Sequence, residues 1–221
     1  MDDARRALSD GAKAVAASGL VVGSAGNLSV RVGDEMLITP RRYDLGKVEP
    51  DDCVRIRLED GAVTEAPENC EPSSETPLHC AAYAACEGAE AVVHTHSYFA
   101  TVLSTLVDEI PAVHYGTLAF GGRVRVAKYA TFGTEELADA VAEALTDRRA
   151  ALLANHGAVT VAKTVEQAVG LAIQLEWLAS VAYHAMLAGE PRLLSDDELE
   201  RVAEQSRTLR YSAAHATSEA R

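Results

Sequence analysis

Hydrophobic positions along the 221 residues recur at helical spacing in some stretches and alternate at strand spacing in others, and their order predicts the elements. Over 3–18, Leu8, Ala12 and Val15 stand at helical spacing and Gly19 is suited to end the run, so the chain opens with a helix. The β-prone runs 27–32 and 36–39 flank Gly33-Asp34, the signature of a hairpin. A second hairpin is predicted from 54–58 and 62–65 around Glu59-Asp60-Gly61. Ser73 and Ser74 lead into an alanine-rich helix running to Cys86, with Pro77 in its first turn where proline is tolerated. Strands follow at 91–95 and 124–127, separated by a helix over 98–106. Leu137, Val141 and Leu145 mark an amphipathic helix over 134–146. Strands at 150–154 and 158–161 surround Asn155-His156-Gly157. A long apolar-periodic stretch over 165–187 and a charged helix from Asp196 close the chain. No repeat or linker divides this pattern, so one α/β domain over 1–221 is expected, with a mostly antiparallel sheet and helices outside it.

Composition narrows the function classes. With 48% hydrophobic residues, a chain of this size buries roughly 70% of its unfolded surface and needs neither disulfide nor metal to make a core. A metal here would therefore be functional. Lys plus Arg number 20 against 33 Asp plus Glu, a net charge of −13 with no basic block, which speaks against a nucleic-acid or anionic-membrane partner. The longest uncharged stretch, 14–30, is too short and too polar to span a bilayer, and Asp2 and Asp3 stand where a signal peptide would be basic. Cys53, Cys70, Cys80 and Cys86 lack C-x-x-C spacing and read as reduced thiols. A cytoplasmic protein is expected.

The sharpest local signal is His94-Thr95-His96, because residues two apart in a strand share a face and can grip one ion. His156, in the turn between two apolar strands, offers a third imidazole. Three neutral imidazoles leave an open position on zinc, as catalytic rather than structural sites do. Glu75 follows Ser73-Ser74 at a helix start, where free N–H groups attract anions; a capped first turn explains the same residues. The small-residue loop 23–29 can bring its backbone close to a ligand or be an ordinary turn.

Taken in order, S-x-G-N-x-S at 24–29, I-T-P at 38–40, P-S-S-E at 72–75, H-x-H at 94–96, Y-A-T-F-G-T at 129–134 and A-N-H-G at 154–157 carry a resemblance. The sequence resembles the class II aldolase/adducin family over nearly its whole length, the family of fuculose-phosphate aldolase and ribulose-phosphate 4-epimerase. The resemblance implies a three-layer αβα sandwich with a mainly antiparallel central sheet, and a homotetramer with active sites between subunits. It implies His94, His96 and His156 as ligands of one Zn2+ per subunit, and Glu75 as a fourth ligand and catalytic acid/base. Gly26, Asn27, Ser73 and Ser74 fall where relatives hold the phosphate of a phosphorylated sugar. Tyr115 matches a tyrosine lent by a neighbouring subunit as a proton donor, and Tyr211 a second, C-terminal tyrosine. Arg41-Arg42 depart from the pattern, since relatives carry a small residue and a glycine after T-P; guanidinium groups there bind phosphate or carboxylate, or face solvent. The resemblance therefore implies an aldolase cleaving a ketose or deoxyketose 1-phosphate to dihydroxyacetone phosphate and an aldehyde. A sugar-acid-phosphate decarboxylase or dehydratase is the alternative on the same metal site. Glu75 disfavours the epimerase, whose relatives carry aspartate there, and the complete ligand set disfavours a non-catalytic adducin-like interaction module.

Overall fold

The computed structural model describes residues 2–209, and Tyr211 lies outside them. An eight-stranded sheet forms its middle layer, built from β1 (Asn27–Val32), β2 (Glu35–Ile38), β3 (Val54–Arg57), β4 (Val63–Glu65), β5 (Ala91–Thr95), β6 (Arg125–Ala127), β7 (Ala150–Leu153) and β8 (Gly157–Ala162). Its spatial order is β4-β3-β2-β1-β5-β8-β7-β6. Both predicted hairpins are present, and every neighbouring pair is antiparallel except β6 with β7. That one parallel pair is joined through helix α4 (Glu135–Leu145), because a parallel connection must cross back over the sheet.

The central strands are buried on both faces, which is why they read as continuous apolar runs. Along β7, Ala151 and Leu153 point to one side while Ala150 and Leu152 point to the other. The first side is covered by α2 (Thr76–Ala85) and α4 through Leu78, Ala82, Leu137 and Val141. The second is covered by α1 (Asp2–Ala17), α3 (Tyr98–Ser104) and α5 (Val165–Ala188), giving three αβα layers. Helix α6 (Asp196–Thr208) starts with a reciprocal cap, Ser195 N–H donating to Glu198 and Glu198 N–H to Ser195. Of the described helices, α5 alone is long and apolar enough by length and composition to cross a membrane; its buried positions Ala168, Ala172, Leu175, Ala179 and Ala182 lie against the sheet, while Ile173 and Trp177 are exposed.

The alanine-rich helix begins at Thr76 with Glu75 at its N-cap, as the pattern predicts, and Ser73 and Thr76 are bonded into a turn ahead of it: Thr76 Oγ1 donates to the Ser73 carbonyl at 2.8 Å. Three short 3-10 segments, Leu45–Lys47, Pro50–Asp52 and Tyr115–Phe120, were not expected from periodicity, since one or two tight turns are too short to show one.

Candidate active site

The start of β1, the ends of β2 and β5, the β7–β8 turn and the N-terminus of α2 all meet at one end of the sheet, and the chemistry-bearing residues collect there. Asn27 pairs with His94 across β1 and β5, and His94 with Val159 across β5 and β8. His94 shares the α2-facing side of β5 with Val92, so its ring points towards Glu75, the residue that caps α2. Strand β5 ends at Thr95, and His96 stands just beyond it rather than within it. His156 projects from the turn between β7 and β8. Gly157 is required there, because a Cβ would stand 2.2 Å from the Thr95 carbonyl oxygen.

Ligand atoms of Glu75, His94, His96 and His156 lie within 4.8 Å of one another. His94 Nδ1 donates to the Ala158 carbonyl at 2.9 Å, which leaves Nε2 with a lone pair aimed inward. That nitrogen is 3.1 Å from Glu75 Oε2 and 3.0 Å from His96 Nε2. His156 Nε2 is 3.2 Å from Glu75 Oε1 but off the hydrogen-bond direction, so Oε1 is buried with no hydrogen bond. Electron pairs converging on one point, one of them an orphaned carboxylate oxygen, fit a divalent cation, and the mixed imidazole and carboxylate set suits a borderline-soft metal. The electrostatics agree. Burial opposes the Glu75 charge, yet His94 and His156 hold its carboxyl well below the usual carboxylate range. Burial opposes a charge on His94 too, and Glu75 with the Ala158 carbonyl overcomes it and moves the ring upward. His96 is pushed down to about 4 by burial and by the neighbouring imidazoles of His94 and His156.

The cluster opens into a cleft of about 410 Å³, the size of a small-molecule site. Gly26, Asn27, Arg41, Arg42, Ser73 and Ser74 all line it, beside Glu75, His96 and His156. Gly26 has φ +84°, and a Cβ there would stand 2.9 Å from the His94 carbonyl oxygen, so the loop can pass this close only as glycine. Both arginines are held beside the serines by an isolated bridge between Pro40 and Pro72 and by Arg41 N–H donating to the Glu71 carbonyl at 2.9 Å. Arg42 adopts φ +57°, a left-handed conformation ordinarily left to glycine.

Tyr115 is not among the cleft residues. It starts the 115–120 turn, is 54% exposed and stacks on His114 with ring centroids 4.3 Å apart. Tyr129 and Phe132, given no role in the sequence reading, do line the cleft. Their signal was the Y-A-T-F-G-T motif, tied to the site where Gly133 passes under Ser74: a Cβ on Gly133 would stand 2.8 Å from the Ser74 carbonyl oxygen. A buried polar set behind Asn27, made of Ser29, His79 and Tyr83, was also missed.

This layered sheet with a Glu/His3 cluster at one end is the arrangement of a metal-dependent class II aldolase. Residues 6–183 match the family described as Class II Aldolase and Adducin N-terminal domain, and the chain belongs to that family. It is 42% identical to the 5-methylthioribulose-1-phosphate/5-deoxyribulose-1-phosphate aldolase of Rhodospirillum rubrum, over 92% of this chain and 91% of that protein. It is 40% identical to the 5-deoxy-D-ribulose 1-phosphate aldolase of Bacillus thuringiensis serovar kurstaki, over 87% and 90% of the two chains. Among solved structures, an L-fuculose 1-phosphate aldolase superposes with a TM-score of 0.87 at 37% identity, covering 93% of this chain and 96% of that one. The expected αβα sandwich and the expectation of a lyase of the aldolase type are both borne out.

Proposed function

We propose that the chain, acting as one domain, is a zinc-dependent aldolase that cleaves a ketose or deoxyketose 1-phosphate to dihydroxyacetone phosphate and an aldehyde. One observation carries this: Glu75 and three imidazoles converge beneath a cleft that also gathers two serines at a helix start and two arginines. Relatives 42% and 40% identical are named as aldolases of 5-methylthioribulose or 5-deoxyribulose 1-phosphate, which favours a deoxyketose with a small or apolar tail. The exposed rings of Tyr129 and Phe132 offer such a tail an apolar wall.

Glu75, His94, His96 and His156 would hold the zinc, which when bound supplies Lewis-acid stabilisation of the negative charge left by carbon–carbon cleavage. The remaining work belongs to the chain. Ser73, Ser74 and the Gly26 loop bind the phosphate with hydroxyls and backbone N–H groups, and Arg42 adds a guanidinium. In synthesis the ionised Glu75, beside the reacting carbon, takes a proton from the carbon of dihydroxyacetone phosphate, and cleavage runs the same transfer in reverse with a proton that Glu75 has first drawn from solvent. The hydroxyl that becomes the aldehyde oxygen must lose its proton as the bond breaks. Tyr115 of a neighbouring subunit takes that role and returns the proton in synthesis, with Tyr211 as a second candidate. The exposure of Tyr115 together with Ile173 and Trp177 supports a homotetramer in which this face is covered, and the free thiols of all four cysteines support the cytoplasm.

Arg41 and Arg42 favour a second reading, in which a substrate carboxylate is bound and carbon dioxide or water is lost instead. A panel of ketose 1-phosphates and keto-acid phosphates decides. Dihydroxyacetone phosphate release from 5-deoxyribulose or fuculose 1-phosphate, with one zinc per chain by metal analysis, is the expected result. Carbon dioxide from a 3-keto acid phosphate with no aldehyde from any ketose phosphate would establish the other reading, and full activity in a metal-free preparation would refute both.

A further inference from the structure

Behind Glu75 runs a chain of buried hydrogen bonds that reaches well into the interface between sheet and helix. Asn27 Nδ2 donates to Glu75 Oε2 at 2.8 Å, Asn27 Oδ1 meets His79 Nε2, Ser29 Oγ is 2.7 Å from His79 Nδ1, and the Tyr83 hydroxyl is 2.9 Å from Ser29 Oγ. Glu75, the N-cap of α2, stands four residues before His79 and eight before Tyr83 on that helix, and Asn27 and Ser29 are two apart on β1. Four helical residues rise about 6 Å and two strand residues about 6.7 Å, so the two rows interleave without a gap. All five side chains are buried, in a layer otherwise filled by Met36, Ile38, Leu78, Ala82 and Val92. Polar groups in such surroundings are costly unless each is paired, and here each one is except Glu75 Oε1, which faces the histidine cluster.

The direction of every bond follows from one end. Glu75 is a carboxylate and can only accept, so Asn27 must present its NH2 to it and its carbonyl to His79. A carbonyl accepts, so His79 Nε2 carries the ring proton. Nδ1 is then bare and accepts from the Ser29 hydroxyl, whose oxygen accepts in turn from Tyr83. The His79 ring is fully buried and neither of its ring-nitrogen partners is a carboxylate, so it stays neutral and only one ring nitrogen carries hydrogen. Turning the Asn27 amide over would set its oxygen against Glu75 Oε2 at 2.8 Å, acceptor to acceptor.

We propose that His79 is a positioning residue for the catalytic carboxylate: held in its Nε2–H form by Ser29 and Tyr83, it locks the Asn27 amide with NH2 towards Glu75 and so fixes where Glu75 Oε2 stands. The proposal rests on the aldolase reading for its kinetic arm and on geometry alone for its spectroscopic arm. In the full-length zinc-loaded protein labelled with 15N-histidine, the His79 ring should show Nε2 protonated and Nδ1 bare, unchanged between neutral and mildly acidic pH. A ring protonated at Nδ1 would mean that Asn27 is turned over, and would overturn the proposal without any variant having to fold. In kinetics, His79→Leu should lower kcat roughly 10–100-fold with KM and zinc content little changed, the usual effect of losing a partner that orients a ligand. His79→Gln should restore most of kcat, because its amide N and O flank one carbon as Nε2 and Nδ1 flank Cε1 and can make the same two bonds. A His79→Leu protein that folds and keeps wild-type kcat overturns the proposal. So does a His79→Gln protein that folds, binds zinc and is as impaired as a protein lacking the bonds. If unaltered protein cleaves no ketose phosphate, the aldolase reading fails while the ring-proton measurement still decides the geometry.

Discussion

Glu75 takes contacts from three directions: Asn27 from β1, His94 from β5 and His156 from the β7–β8 turn, while its own backbone caps α2. Its φ of −100° and ψ of 18° place it in a sparsely used conformation common at active sites. Glu75→Gln keeps the size and the bond to Asn27 within reach but removes the charge and the proton-transfer capacity. We expect turnover to fall by about 10²–10⁴-fold while metal analysis still finds the ion on three imidazoles. Turnover within a few-fold of wild type would reduce Glu75 to a helix cap. Arg42 allows a cleaner separation of stability from binding, because its left-handed backbone is strained for arginine and natural for glycine. In Arg42→Gly the strain relieved and the chain entropy added are each about 1 kcal/mol and opposed, so the denaturation midpoint should barely move. KM for a phosphorylated ketose should nevertheless rise by the worth of a charge-assisted bond, roughly 1.5–3 kcal/mol, with no penalty for the unphosphorylated sugar. A penalty that follows a carboxylate instead would move the assignment to an acid substrate, and unchanged kinetics with every substrate would place Arg42 in solvent.

At the scale of elements, the β7–β8 turn holds His156 only because Gly157 lets it lie against the end of β5. Gly157→Ala puts a methyl into backbone that cannot yield as a side chain would, so both His96 and His156 must shift. We expect zinc affinity and thermal midpoint to drop together in this variant, and an unchanged metal stoichiometry at limiting zinc would contradict it. Helix α2 contributes a pH dependence through His79, whose proton affinity is lowered from 6.5 to about 3 on folding. Between those values the unfolded chain binds a proton that the folded one refuses. Stability from this group is therefore complete above about pH 6.5 and declines as pH falls towards 3, by up to about 1.4 kcal/mol per pH unit. Denaturant unfolding at pH 7 and pH 5 should show this fall in wild type and a shallower one in His79→Gln.

These elements also show what could be read without coordinates. The hairpins, the apolar run 150–153 and the amphipathic repeat of Leu137, Val141 and Leu145 declare themselves because each is a local period. The convergence of Asn27, His94 and His156 depends on the order β1-β5-β8, a pairing of distant segments that no local pattern encodes; only the ordered motifs pointed to it. His79 and Tyr83 were illegible because a histidine and a tyrosine four apart on a buried helix face look like core, and their partners Asn27 and Ser29 are reached only across the sheet. The backbone of Arg42 was visible only indirectly, as a departure from glycine.

At the scale of the whole molecule, the cleft within one chain gathers the Glu75, His94, His96 and His156 cluster and the serines and arginines proposed to hold phosphate, but Tyr115 stands outside it. It lies beside His114, which packs edge-on against Trp177 with centroids 4.9 Å apart, and Ile173 is exposed on the same helix as Trp177. Exposed aromatic and aliphatic residues grouped in this way suit a subunit contact. If a closed ring of subunits covers this face, light scattering should give a tetramer, and each site should draw Glu75 from one chain and Tyr115 from the next. The two halves can then be separated by mutation. Glu75→Gln and Tyr115→Phe proteins should each be nearly inactive alone, yet unfolding and refolding them together should create sites that pair an intact Glu75 with an intact neighbouring Tyr115. Random mixing in equal amounts places both intact residues in about a quarter of the sites, so about that fraction of wild-type activity should return. Recovery requires the contribution across the interface, since a site formed within one chain would stay broken in both parents and in every mixture. Mixed tetramers that form and remain inactive would confine the proton donor to the chain that carries the metal, and the search for it would move to Tyr129 at the cleft mouth.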